Sequence, residues 1–273
     1  MKKMLVVAAV ALLSLPASAA IQYEFFQKST TEGDAVPSTD MTARALVDGS
    51  RTRIDVVGGN VYPPGCYIIT DDATKRMLFI DTVNKSYTEF NAASAATAIG
   101  SSNIKIENRK SDVVKLDDHL TIAGHTTDHY RLTLSYDITV VFRSMPLKQS
   151  VRTVVDKWTT SEFGKLGDAG IAGNLHTGNS EIDAIVELEN TRIPGFALRQ
   201  NVSVTTIDNT TPVPGSELKF PATRVVNREL WVTKIQQTAT DASQFVLPAT
   251  YTRADAPELK PAAQVLDMKP AGK

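Results

Sequence analysis

Hydrophobic and polar residues alternate with a period of two along most of this chain. Ile21-Gln22-Tyr23-Glu24-Phe25 and Arg53-Ile54-Asp55-Val56 alternate, and Tyr130-Arg131-Leu132-Thr133-Leu134-Ser135-Tyr136 is the clearest case. Such runs put apolar side chains on one face and polar ones on the other, as in a half-buried antiparallel strand. Cys66–Thr70, Arg76–Asp81 and Ser86–Phe90 are further short β-rich runs. Asp71-Asp72-Ala73-Thr74-Lys75 and Thr82-Val83-Asn84-Lys85 separate them and read as hairpin turns. Strands are also expected at Ile138–Arg143, Val151–Thr159, Phe196–Ile207 and Thr223–Gln236. The spacing is that of a meander.

Two segments break the period. Asn91–Ile99 is alanine-rich and reads as a short helix. Ser180–Asn190 makes a stronger helix: Ser180 is placed to cap the first turn, Glu181 and Asp183 suit its positive end, and Ile182, Ile185 and Val186 form one stripe. Residues 164–178 carry five glycines and few β-formers, which reads as a loop. Their spacing matches neither a dinucleotide nor a P-loop pattern. The end of the chain, residues 252–273, holds three prolines among Ala and Lys and reads as an extended or disordered tail.

The amino terminus reads as a secretory signal. Lys2 and Lys3 precede an uncharged run from Met4 to Leu15, too short to span a bilayer, and Pro16 and Ala17-Ser18-Ala19 supply the break and cleavage site. Cleavage after Ala19 implies export, to the periplasm if the source is bacterial, as the short lysine-rich start indicates. It would leave 254 residues and move the net charge from −1 to −3. Residues 20–251 then form one β-rich domain. No later run is long enough for a transmembrane helix, and the near-neutral charge gives no field to recruit nucleic acid. One cysteine, Cys66, excludes an internal disulfide framework.

Candidate chemistry is sparse. His119, His125 and His129 crowd into one stretch and invite a metal. Along a straight strand, residues four apart stand about 13 Å apart, so a turn at Gly124 would have to gather them. No nucleophile elbow occurs, and no carboxylate pair stands out from surface charge. Cys66 leads into an apolar strand and reads as a buried thiol, with an intermolecular disulfide or redox role as the alternative. Trp158 and Trp231 lie within β-runs, either packed in the core or lining an apolar cavity.

The order of segments adds a resemblance. Tyr67-Ile68-Ile69-Thr70-Asp71, Lys75–Asp81 and Asn84–Glu89 are followed by Leu120-Thr121-Ile122-Ala123-Gly124-His125, by Val155–Thr160, by Ile193–Arg199 and by Asp241–Tyr251. This pattern is similar to an uncharacterised exported bacterial domain family related to the lipoprotein-localisation-factor (LolA/LolB-like) half-barrels. The resemblance implies a mainly β fold: a curved antiparallel sheet, or half-barrel, with one or two helices packed on its concave face. It implies binding of acyl chains or lipoproteins in the concavity, without catalytic residues or a cofactor. The leading expectation is a non-enzymatic periplasmic carrier of a lipid, a lipoprotein acyl chain or another hydrophobic ligand, with Ile80, Trp158 and Trp231 as lining candidates by strand position. The alternatives are a structural or interaction module of the cell envelope, contacting a protein partner, and a metal-dependent enzyme using His119, His125 and His129.

Overall fold

The computed structural model describes residues 20–32, 37–91, 103–142, 145–163, 180–210, 223–239 and 241–254. The expected signal segment, residues 1–19, the glycine-rich stretch 164–178 and residues 255–273 lie outside them, as do residues 92–99 of the alanine-rich run. Among the described residues, twelve strands form one open sheet. They are β1 (Ala20–Glu32), β2 (Thr39–Asp48), β3 (Arg51–Gly59), β4 (Tyr67–Asp71), β5 (Arg76–Asp81), β6 (Ser86–Asn91), β7 (Asn103–Ile122), β8 (His125–Phe142), β9 (Met145–Thr160), β10 (Phe196–Asp208), β11 (Thr223–Thr238) and β12 (Thr252–Arg253). Helix α1 (Ser180–Arg192) stands between β9 and β10.

The order across the sheet is β12-β6-β5-β4-β3-β2-β1-β11-β10-β9-β8-β7. The chain therefore runs outward from central β1 to β6, restarts at the opposite edge with β7, and returns until β11 pairs with β1. This order forbids a flat sheet. Ten strand spacings from β6 to β7 would cover about 48 Å. Twelve peptide steps from Asn91 to Asn103 reach about 43 Å at most. The edges must curl toward each other, and the packing shows which way. Ile122 and Ala123, at the tip of the edge hairpin, join the same cluster as Tyr23, Phe25, Ile54 and Ile68 from the central strands. That face is the concave one.

Local chemistry explains the turns. Asp71 accepts from the Ser50 hydroxyl and the Ala73 amide, and Asp81 accepts from the Val83 and Asn84 amides. Each aspartate thereby mimics the missing rung of a tight turn. Ala123 and Gly124 both have positive φ, 50° and 88°, the signature of a two-residue hairpin loop between β7 and β8.

The concave face is filled by the sheet's own side chains. Phe25, Phe196, Leu198, Ile54 and Ile68 are fully or nearly fully buried there. Tyr62, Phe79 and Phe163 close over them. The helix lies against β7, where the Arg192 guanidinium donates to Ser111 Oγ at 3.1 Å. Just beyond its end, Ile193 packs on Leu132 and Val155. On the convex side the segment after β11 forms a strap. Asp241 caps a short 3-10 turn, Ala242–Phe245, by accepting from the Ser243 amide. Phe245 then packs on Ala20 and Leu46 beneath the Arg51 guanidinium, 4.6 Å from the ring centre. Leu247 and Tyr251 cover Tyr67, Ile69, Leu78 and Ile80.

The structure extends the sequence reading in three places. Tyr130–Tyr136 and Ile138–Phe142 are parts of one long strand, β8, and Arg143 lies outside the described residues. Strands β2 and β7, for which no strand is expected, are both present. Thr252 and Arg253, placed in the tail by their composition, instead pair with β6, where the Thr252 and Ala254 amides donate to the Lys85 and Tyr87 carbonyls. Edge strand β7 is guarded against further pairing by charges such as Lys105, Glu107, Asp112 and Lys115 and by two register shifts.

Candidate functional site

The three clustered histidines are separated by their strands. His119 Nδ1 lies 3.1 Å from the Thr127 carbonyl and 3.4 Å from Asp128. His125 Nδ1 meets Glu162 at 2.8 Å. His129 sits on β8 between two carboxylates, with Nδ1 2.7 Å from Asp118 and Nε2 3.0 Å from Asp156. Each imidazole thus has its own carboxylate. Among the described residues no group of three or more metal-type ligands converges.

His129 belongs to a longer construction on the convex face. Strand pairing places His129, Trp158, Arg199, Trp231 and Phe26 in one row across β8, β9, β10, β11 and β1. The imidazole stacks on Trp158 at 4.1 Å, Arg199 lies over the same indole at 4.9 Å, and Trp231 meets Phe26 at 4.9 Å. One step along the strands, Arg131 grips Asp156 with two hydrogen bonds, at 2.8 and 3.1 Å. Trp158 is only 8% exposed and His129 5%. The indole N–H of Trp158 points toward Asp118 without completing a hydrogen bond. Stacked rings and cations of this kind staple strands together.

The three lining candidates therefore do not share a cavity. Ile80 is fully buried beneath the strap, Trp158 is held in the stack, and Trp231 is half-buried against Phe26. All three face the convex side, with β1 to β4 between Ile80 and Trp231. Cys66 is fully buried; burial pushes its thiol up, and the nearby Asp81 charge adds to this. A protonated, enclosed thiol is a poor nucleophile.

The open space lies elsewhere. The strap covers the convex face over β2 to β6, and no described segment covers the other half of that face. There, across β7 to β10, a groove of about 460 Å³ is lined by Tyr136, Val151, Ile207, Thr205, Lys110 and Arg152, with Asn108, Ser135, Asp137 and Ser150 completing it. Lys110, Ser135, Arg152 and Thr205 form one register row, and Asp137, Ser150 and Ile207 the next. Ile207 is 44% exposed, a large aliphatic side chain facing solvent in an otherwise polar row. Asp137 is engaged: the Asn108 amide and the Ser150 hydroxyl donate to its two oxygens at 2.7 and 2.6 Å, which holds its carboxyl below the usual range. Burial pushes the Tyr136 phenol up. Sequence reading missed these residues because the groove forms only when four strands are laid side by side. The one local signal is Ile207, an apolar residue at the polar end of an alternating run.

The carboxylates predict a pH response. Asp81, Asp118, Asp137 and Asp241 are all held below the ordinary carboxylate range by hydrogen bonds, from the Asn84 backbone, His129, Asn108 and the Ser243 backbone respectively. A pKa that is lower folded than unfolded stabilises the fold above the unfolded value, about 3.9, and that stabilisation is lost as pH falls toward the folded value. Melting temperature followed by differential scanning fluorimetry should hold steady at neutral and mildly acidic pH and drop below about pH 4. Combining Asp118→Asn with Asp137→Asn should flatten that acid limb. An unchanged limb would assign it to other groups.

No protein-family model matches the sequence, and no curated protein matches it either. Among solved structures, one of PNGF-II is 12% identical with a TM-score of 0.33, and the match covers 87% of this chain and 31% of that one. The chain thus spans about a third of PNGF-II's length. A LolA superfamily protein from Nitrosomonas europaea is 9% identical with a TM-score of 0.31, over 85% of this chain and 91% of that one. Similarity at this level does not transfer a function.

Proposed function

We propose that this protein is an exported, non-enzymatic binding protein that takes a hydrophobic ligand, of the lipid or acyl-chain class, on its convex face over β7 to β10. The observation that carries the reading is the groove over β7 to β10, whose volume of about 460 Å³ falls within the span of small-molecule sites. Its apolar side-chain contribution comes from Ile207 and the aliphatic stems of Lys110 and Arg152, because Tyr136 and Val151 pair in the row between the two groove rows and turn their side chains to the other face. Burial of apolar area at about 25 cal/mol per Å² supplies the affinity, and few fixed polar contacts are needed. The concave face is a poorer candidate for the ligand, because its side chains are already packed against one another. Periplasmic residence belongs to the same proposal, supported by the lysine, apolar-run and Ala17-Ser18-Ala19 pattern at the amino terminus. The reading assigns the groove no catalysis: Asp137 there holds the Asn108 amide and the Ser150 hydroxyl in place.

Native mass spectrometry of protein purified from its source should reveal a bound lipid, and a fluorescent fatty acid should bind saturably. Ile207→Asp should weaken that binding about tenfold, since it replaces buried hydrocarbon with a charge. If the protein never carries lipid and the probe does not bind, the proposal fails.

A second reading is a structural or interaction module of the cell envelope, and the filled concave face favours it, because a filled face leaves the sheet as scaffold. Under that reading a protein partner co-purifies, and its loss on deleting residues 255–273 would place the contact there.

A further inference from the structure

We infer that the ligand of the convex groove is an anionic amphiphile, a long-chain carboxylate whose head is held between Lys110 and Arg152 and whose chain runs over Ile207. This inference rests on the groove reading above and deepens it.

Several arginines on this surface have a carboxylate at hand: Arg44 pairs with Glu24, Arg51 with Asp48, Arg53 with Asp55, Arg76 with Glu89 and Arg131 with Asp156. Lys110 and Arg152 pair with none among the described residues, and both are exposed. They are also not scattered. Lys110 on β7 and Arg152 on β9 flank Ser135 of β8 in a single register row. Two strand spacings, about 10 Å, separate their backbones, a gap that two long flexible side chains can close on one head group. Ser135 between them offers a hydroxyl donor.

The carboxylate already in the groove sharpens the choice. Asp137 lies one row further along, beside Ser150 and opposite Ile207 across β9. Its oxygens accept from Asn108 and Ser150, and it forms no ion pair with either cation. Its charge repels a head group that strays from the Lys110–Arg152 row. The groove therefore has a cationic end and an end guarded by a negative charge with an aliphatic residue beside it. An amphiphile with a single compact anion fits that polarity and acquires an orientation from it.

The test compares dodecanoate with dodecanol, ligands of one chain length that differ in head charge. Isothermal titration should show dodecanoate binding about tenfold more tightly at low salt, as expected of two exposed ion pairs, with the advantage shrinking in high salt. In the double variant Lys110→Gln, Arg152→Gln the two ligands should bind equally, at the wild-type dodecanol affinity. Both side chains are exposed, and an unchanged melting temperature verifies the fold. Inorganic phosphate should not compete measurably, since it lacks the chain. Equal affinity for both ligands in the wild type, or an advantage that survives the double variant, overturns the inference while leaving the groove intact. Binding of neither ligand overturns the groove reading itself.

Discussion

Replacing Trp158 with alanine is expected to lower the unfolding free energy by about 3–5 kcal/mol, the usual cost of truncating a large buried aromatic. For a domain of this size that corresponds to a fall in melting temperature on the order of 10 °C. Trp158 is 92% buried by the complement of its 8% exposure, with His129 stacked on its ring at 4.1 Å and Arg199 at 4.9 Å. Its removal strands both partners. The imidazole loses the surface that orients it between Asp118 and Asp156, and the guanidinium loses its ring. Trp158→Phe keeps a flat surface and should cost less than half as much. Ligand binding in the groove should be unchanged in both variants, because Arg152 lies six residues along the same strand, about 20 Å away. Urea unfolding and fatty-acid titration on the same preparations separate the two roles. A Trp158→Ala protein that stays stable and loses binding would make this indole part of a ligand site.

That separation bears on how far the sequence could be read. Period-two alternation identified strands wherever one face is apolar and the other polar, as in Tyr130–Tyr136. It missed β2, although Met41, Ala43, Ala45 and Val47 alternate there and are buried, because alanine is a weak strand former and carries little hydrophobic signal. It missed β7 for the opposite reason. An edge strand buries little, and charges on β7 such as Lys105, Glu107, Asp112 and Lys115 are what keep that edge from pairing with another chain. The turns were legible because Asp71, Asp81 and Gly124 act locally.

The candidate site was hardly legible. Crowding of His119, His125 and His129 in sequence reads as a ligand cluster, yet each strand position presents its imidazole to a different carboxylate. Lys110, Arg152 and Ile207 are up to 97 positions apart in sequence and become neighbours only through register. Ile80, Trp158 and Trp231 looked like lining residues because large apolar side chains in strands suit either a core or a cavity. Only the strap and the stack, both long-range features, decide between them.

Gly195→Ala should cost about 3 kcal/mol or more, well beyond the ordinary penalty for a side chain at positive φ, which is about 1–2 kcal/mol. Gly195 has φ +85°, and a Cβ there would stand 2.6 Å from the Thr160 carbonyl oxygen. Backbone must therefore move, and it moves at the first rung of β10, where Phe196 pairs with Thr160. Phe196 is fully buried, with its ring edge-on to Tyr23 at 5.2 Å, so a shift of that rung loosens the centre of the concave core. Gly124→Ala supplies the control. Its φ of +88° is the same, but nothing lies within 4 Å of the added carbon, so strain acts alone. Chemical denaturation of the two variants should show Gly195→Ala as the more damaging by at least 1 kcal/mol, on the order of a tenfold change in the unfolding equilibrium. Adding Phe196→Ala to Gly195→Ala should cost less than the two losses combined, because both act through one rung and one side chain. Equal losses at the two glycines would mean that the Thr160 strand yields freely, and that the start of β10 does not anchor the core.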